Sequence, residues 1–165
     1  PLVVVASGCL TDLASAWLLD RSIPARIIVA TRTAPAAWNM DPWAATVVLE
    51  NFHCVICDVG FPGNTLSVTR LNGTRWDFLS TRVTRSNTDF SQFASVTVPG
   101  FVQKTQRARF ARGDTGNPSD FRFVPDPNGK VWLTTGADAR RMAAEFETTF
   151  MNAERSVTPP GATKP

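Results

Sequence analysis

Cys54 and Cys57 stand three residues apart, directly after the only histidine of the chain, His53. A C-x-x-C pair beside an imidazole is the spacing of a zinc site, since thiolate sulfur and imidazole nitrogen are the ligands zinc prefers. A closed zinc site takes four such ligands, and the sequence has no second pair and no second histidine. The pair also lies within the apolar run Cys54-Val55-Ile56-Cys57, which reads as a buried strand; residues three apart on a strand point to opposite faces. Two separate core thiols are expected, with His53 as a surface or capping imidazole. Three cysteines give no disulfide framework and favour a reducing compartment, with the cytoplasm preferred.

The other residues with chemical potential are a few carboxylates and one amide beside a ring. Asp12, Asp20 and Asp41 fall at helix starts and ends. Asp114 lies in Gly113-Asp114-Thr115-Gly116 and Asp126 in Asp126-Pro127-Asn128-Gly129, both of turn composition. Asn39 both donates and accepts hydrogen bonds, and Trp38 beside it offers a ring face, a pairing suited to a sugar-like small molecule. Trp17, Trp43, Trp76 and Trp132 read as core or rim packing.

These residues can act together only if the elements around them bring them together. Leu2 to Ala6 is a short β-branched run ended by Ser7-Gly8, which suits a strand buried on both faces. Thr11 and Asp12 can cap a helix over 11–20 whose apolar positions Leu13, Ala14, Trp17 and Leu18 share one face. Arg26 to Ala30 predicts a second buried strand. Asp41-Pro42 is a strong start for a helix over 41–51, and Val55 to Val59 predicts a third strand. Strand, helix, strand, helix, strand implies a mostly parallel sheet with right-handed crossover helices. Ligands in such sheets bind beyond the carboxyl ends of the strands. That rule selects Ser7-Gly8, Ala30 to Arg32, the loop to Asn39, and Asp58, with Ser7, Trp38 and Asn39 meeting in one cleft.

The rest of the chain reads as an additional β-hairpin region and a C-terminal helix. Asn72-Gly73 is a two-residue turn between Leu66 to Leu71 and Arg75 to Leu79; the same turn chemistry at Asp126 to Gly129 joins Phe121 to Val124 with Lys130 to Leu133. The terminal helix spans Ala137 to about Asn152. Residues 1–153 form a single α/β domain of a longer or processed chain, since Pro1 enters a strand pattern at once, and 154–165 form a mobile Pro-, Thr- and Gly-rich tail. Seventeen Lys and Arg against fourteen Asp and Glu leave a formal charge of +3. The local cluster Lys104, Arg107, Arg109 and Arg112 reads as a solvated loop, so no nucleic-acid partner is expected. No apolar run approaches the ~20 residues of a membrane-spanning helix, so no membrane partner is expected either.

Several of these segments also resemble, in order, those of the inosine-uridine-preferring nucleoside hydrolases. Val5 to Ala14 looks like that family's "TGPLTNLA" segment with the strand before it, and Leu19 to Ile23 like the helix end that follows. Arg26 to Val29 resembles its next strand, Ala36 to Met40 takes the place of "AEFNI", Asp41 to Ala45 resembles "DPEAA", and Cys54 to Val59 is similar to the strand ending in "LDVT".

The resemblance implies hydrolysis of the N-glycosidic bond of a ribonucleoside or related N-riboside. It implies a calcium ion that holds the ribose diol and the attacking water, since a hard cation binds oxygen ligands and a metal-bound water becomes a nucleophile at neutral pH. Ser7 matches the main-chain carbonyl donor to the metal and Asn39 the amide on the ribose 5′-hydroxyl; the late metal carboxylate falls to Asp114, by its separation from Asn39, or to Asp126, by its Asp-Pro dipeptide, with Asp114 preferred. Ala37 stands where the family has Glu, Ala30 where it has an apolar Met, and no histidine follows His53. The family's "DxDxxxDD" run, which carries the general base, does not occur in this sequence, so the catalytic residues are unassigned and these residues alone are expected neither to bind calcium tightly nor to be active. The carboxylates then come from a missing N-terminal segment or a partner subunit. The alternative is a non-catalytic binding or assembly module of the same fold. Homo-oligomerisation is compatible with either.

Overall fold

The computed structural model describes residues 1–32, 38, 40–57, 69–78, 88–115, 117 and 120–157. Strands β1 (Leu2–Val5), β2 (Ile27–Thr31) and β3 (His53–Ile56) pair in parallel, Leu2 opposite Ile27 and Ile28 opposite His53. Helices α1 (Thr11–Leu19) and α2 (Pro42–Asn51) make the two connections and pack against each other. Pro42 opens α2, and Asp41 caps it by accepting the Ala44 N–H at 3.0 Å. The first core cluster lies between these helices and the sheet: Leu10, Ala14, Val48, Leu49 and Phe52 meet Val29, Cys54, Ile56 and Val131.

Three expectations for this half are corrected. Leu10, not Thr11 or Asp12, occupies the cap of α1, and the Thr11 hydroxyl is instead donated to Asp41 Oδ2 at 2.6 Å. Strand β3 begins two residues before Val55, because Phe52 terminates α2 and the pairing with β2 starts at His53. Strand β1 is not buried on both faces: it is the outer strand of the sheet, with Leu2 67% and Val3 42% exposed.

The second half adds β4 (Val102–Arg112), β5 (Phe121–Pro125) and β6 (Val131–Ala137), giving a six-stranded sheet in the order β1-β2-β3-β6-β4-β5. Strand β6 runs parallel to β3, and β4 runs antiparallel to both β6 and β5. The first half of β4 pairs with β6 and the second half with β5, and Ala108 faces Val131 on one side and Pro125 on the other. The turn at Asp126 to Gly129 forms, with the Gly129 N–H on the Asp126 carbonyl at 3.0 Å. It does not join neighbouring strands, however; it carries the chain across β4. The hairpin is therefore β4–β5. The loop expected around Lys104 to Arg112 is part of strand β4, in which Ala108 and Phe110 turn inward while Arg109 and, at the strand end, Arg112 stay exposed.

Two further helices, α3 (Thr88–Thr97) and α4 (Ala139–Val157), contribute to the second core cluster, in which Cys57, Leu71, Ala94, Phe101 and Met142 are buried. The apolar face expected of the terminal helix is present, with Phe146 and Phe150 against this cluster. The helix reaches Val157, beyond Asn152 and into the stretch read as a tail, and 158–165 lie outside the described residues. The hairpin expected about Asn72-Gly73 is not formed by the described residues there. Thr69–Leu71 is a 3-10 turn, the Thr74 hydroxyl donates to the Leu71 carbonyl at 2.7 Å, and the Trp76 N–H donates back to that hydroxyl. Such local side-chain bonds compete with a strand ladder.

Candidate functional site

The carboxyl ends of β1 and β2 are cross-braced. The Ala6 N–H donates to the Ala30 carbonyl at 2.8 Å, and the Thr31 hydroxyl donates to the Ala6 carbonyl at 2.9 Å. One residue on, the exposed Ser7 gives its hydroxyl to Gln92 Oε1 of α3 at 3.2 Å. Gln92 is fully buried, and its Nε2 has no hydrogen-bond partner among the described residues. Buried amides normally satisfy both ends, so this donor is an uncommon feature at the rim where an α/β sheet places its ligands. Sequence reasoning missed Gln92, which lies far along the chain in a helix with no motif.

Of the residues selected from the sequence, Ser7 is at the rim, while Asn39 and Asp58 lie outside the described residues. Trp38 is in the first core cluster at 1% exposure, 5.0 Å from the Phe121 ring and 6.2 Å from Phe123, so neither of its faces is open to a ligand in this conformation. Asp114 is exposed on the β4–β5 connection, separated in strand order from β1 by the interior of the sheet. His53 is exposed at the amino end of β3, the opposite end from Ser7.

Calcium takes six to eight oxygen ligands. Around Ser7 the described residues supply carbonyls and the Ser7 hydroxyl, and no group of three or more His, Cys, Asp or Glu side chains able to hold a metal occurs among the described residues. Cys54 and Cys57 belong to different core clusters, and burial pushes the Cys54 thiol up to about 12, so it is protonated at neutral pH. The Asp41 carboxyl is held below its ordinary value by the Thr11 hydroxyl and then by the Ala44 N–H, and it serves as a cap.

Two nucleoside hydrolases are among the solved structures that share this architecture. The inosine-uridine-preferring nucleoside hydrolase of Bacillus anthracis superposes with a TM-score of 0.63 at 15% identity, over 89% of this chain and 59% of that one. An inosine-guanosine nucleoside hydrolase gives 0.56 at 16% identity, over 86% and 60%. The chain thus has a nucleoside-hydrolase-like α/β fold and spans about three fifths of the length of these neighbours. Comparison with protein-family models and with curated proteins finds no match. No helix among the described residues is long and apolar enough to cross a membrane.

Proposed function

We propose that the complete protein hydrolyses the N-glycosidic bond of a ribonucleoside or related N-riboside, with residues 1–165 forming only part of the catalytic unit. The observation that carries this reading is the fold likeness to nucleoside hydrolases over 89% of the chain. In this reading Ser7 contributes its main-chain carbonyl to a calcium ion and Asn39 holds a sugar hydroxyl. The catalytic carboxylates come from polypeptide outside these residues, as an N-terminal segment or a partner subunit. Calcium supplies an activated water when the site is complete. The outer strand β1 supports the reading: among the described residues nothing pairs with the free edge of its uncharged run Leu2 to Val5, and strands of this composition in parallel sheets are ordinarily flanked and covered. Asp114, exposed and remote in strand order from β1, is not retained as a ligand.

A non-catalytic binding or assembly module is the second reading, favoured by the burial of Trp38 among Phe121 and Phe123. Calorimetric titration with calcium and a base-release assay on a panel of ribonucleosides separate the two. Residues 1–165 alone are expected to show neither binding in the micromolar range nor turnover. The natural polypeptide, isolated with whatever chain flanks or accompanies these residues, is expected to show both. Its inactivity across the panel would establish the second reading.

A further inference from the structure

The amino ends of β2, β3 and β6 lie side by side, because these three strands are adjacent and parallel. Just there a pocket of about 340 Å³ is walled by Trp17, Arg21, Asn51, His53 and Lys130. We propose that this pocket binds a phosphoryl dianion, as inorganic phosphate or as the phosphate of a small phosphomonoester. The proposal does not rest on the nucleoside-hydrolase reading, whose site is at the other end of the strands.

Three cationic or protonatable side chains line one small space, and no carboxylate among the described residues lines it. The Arg21 guanidinium lies 3.4 Å above the Trp17 ring, a stacking contact that fixes its plane and leaves its in-plane N–H groups to an acceptor beyond the ring. Lys130 Nζ is within 3.4 Å of the Glu50 and Asn51 carbonyls at the end of α2, which hold the ammonium beside His53 on the neighbouring strand. The carboxylates nearby in sequence are engaged elsewhere: Asp20 bonds to Ser22 and pairs with Arg26, and Glu50 lies 3.7 Å from Arg112.

Like charges gathered in a space this size are separated by about one Debye length (~8 Å) or less in physiological salt, so their repulsion is poorly screened. An anion relieves it. A fork from Arg21, a point charge from Lys130 and an imidazole from His53 address several oxygens from separate directions, which fits a tetrahedral phosphate better than a planar two-oxygen carboxylate. The Trp17 face is already covered by Arg21, so a nucleotide base has no ring to stack on, and the ligand class narrows to phosphate or an aliphatic phosphomonoester.

His53 is the only histidine, so its imidazole Cε1–H gives a single reporter signal in proton NMR. The protein is titrated at fixed pH and constant ionic strength with sodium phosphate, glycerol phosphate or sodium chloride. Saturable movement of the His53 signal with either phosphate species and not with chloride is expected. Tighter binding of glycerol phosphate assigns the site to esters, and equal or weaker binding assigns it to the free ion. Arg21→Gln and Lys130→Gln are each expected to weaken binding about tenfold, the loss of one charge-assisted contact. Arg21 is exposed at the end of α1, so its variant keeps the test valid if Lys130→Gln disturbs the fold. Equal movement with chloride, or wild-type phosphate affinity in Arg21→Gln, overturns the proposal.

Discussion

The Ser7 hydroxyl donates to Gln92 Oε1 over 3.2 Å, tying the end of the outer strand to a helix 85 residues later in the chain. The pair sets an exposed hydroxyl against a fully buried amide whose other end, Nε2, has no partner among the described residues. Ser7→Ala therefore takes away the bond that Gln92 makes through Oε1. It is expected to cost about 1–2 kcal/mol in chemical denaturation, because the penalty of an unpaired buried polar group exceeds the worth of the bond. Adding Gln92→Met should recover most of the loss. A double variant less stable than Ser7→Ala alone would show that Gln92 is satisfied in some other way.

Asp41 links both crossover helices, capping α2 and accepting the Thr11 hydroxyl of α1. Asp41→Ala should cost about 1 kcal/mol, the ordinary worth of a cap. The carboxyl is held lower in the folded chain than in the unfolded one, so its contribution is complete above the ordinary value of 3.8 and disappears as the pH falls through the folded value beneath it. Asp41→Asn keeps an acceptor at the cap and should remove this part of the acid dependence. Parallel stability-against-pH curves for wild type and Asp41→Asn below pH 4 would contradict it.

Gly129 lies where the chain passes over β4. A Cβ at this position would sit 2.0 Å from the Ala108 carbonyl oxygen and 2.2 Å from its carbon, both backbone atoms that cannot swing aside. Gly129→Ala is expected to destabilise by about 3 kcal/mol, the upper range for overpacking, and thermal melting measures it. A variant melting with the wild type would mean that the crossing runs further from the strand.

Thiol reactivity separates the three cysteines. Cys9 is partly exposed, whereas Cys54 and Cys57 are buried, and Cys54 is further protected by its raised ionisation. Native protein at pH 8 should react with an aromatic disulfide reagent at Cys9 first, and at the other two only after denaturant is added. Prompt native labelling of Cys54 would show that β3 opens to solvent.

The parallel half of the sheet was legible because local signals agreed with the tertiary result. Asp41-Pro42 specifies a helix start through its own hydrogen bond and fixed backbone angle, and Ile27 to Ala30 is an unbroken apolar run. The misreadings occur where long-range pairing decides. Leu2 to Val5 has the composition of an interior strand and forms the outer one. The arginines of β4 resemble a solvated loop until Ala108 and Phe110 are seen turning inward between them. Asp126 to Gly129 has hairpin chemistry, but a turn sequence does not say whether the strands it separates lie next to each other. At the candidate site, Ser7 was placed at the strand end by topology, whereas Gln92 reaches it through the packing of α3 and left no mark in the sequence. Trp38 read as a ligand contact because it neighbours Asn39, and Phe121 and Phe123 of β5 pack against it instead.

Strand β6, synthesised after the other five strands of this sheet, lies in its interior between β3 and β4. On the ribosome, β1 to β3 and their helices can assemble early from contacts close in sequence, and β4 and β5 can zip together as a separate ribbon. The two pieces cannot join into one sheet until residues 131–137 have emerged to bridge them. During that interval the nascent chain presents two unsatisfied edges, one on β3 and one on β4, both complementary to the same short stretch. A stall or premature stop before Val131 therefore leaves two sticky half-sheets rather than a smaller stable protein, and such products should be prominent clients of chaperones and proteases.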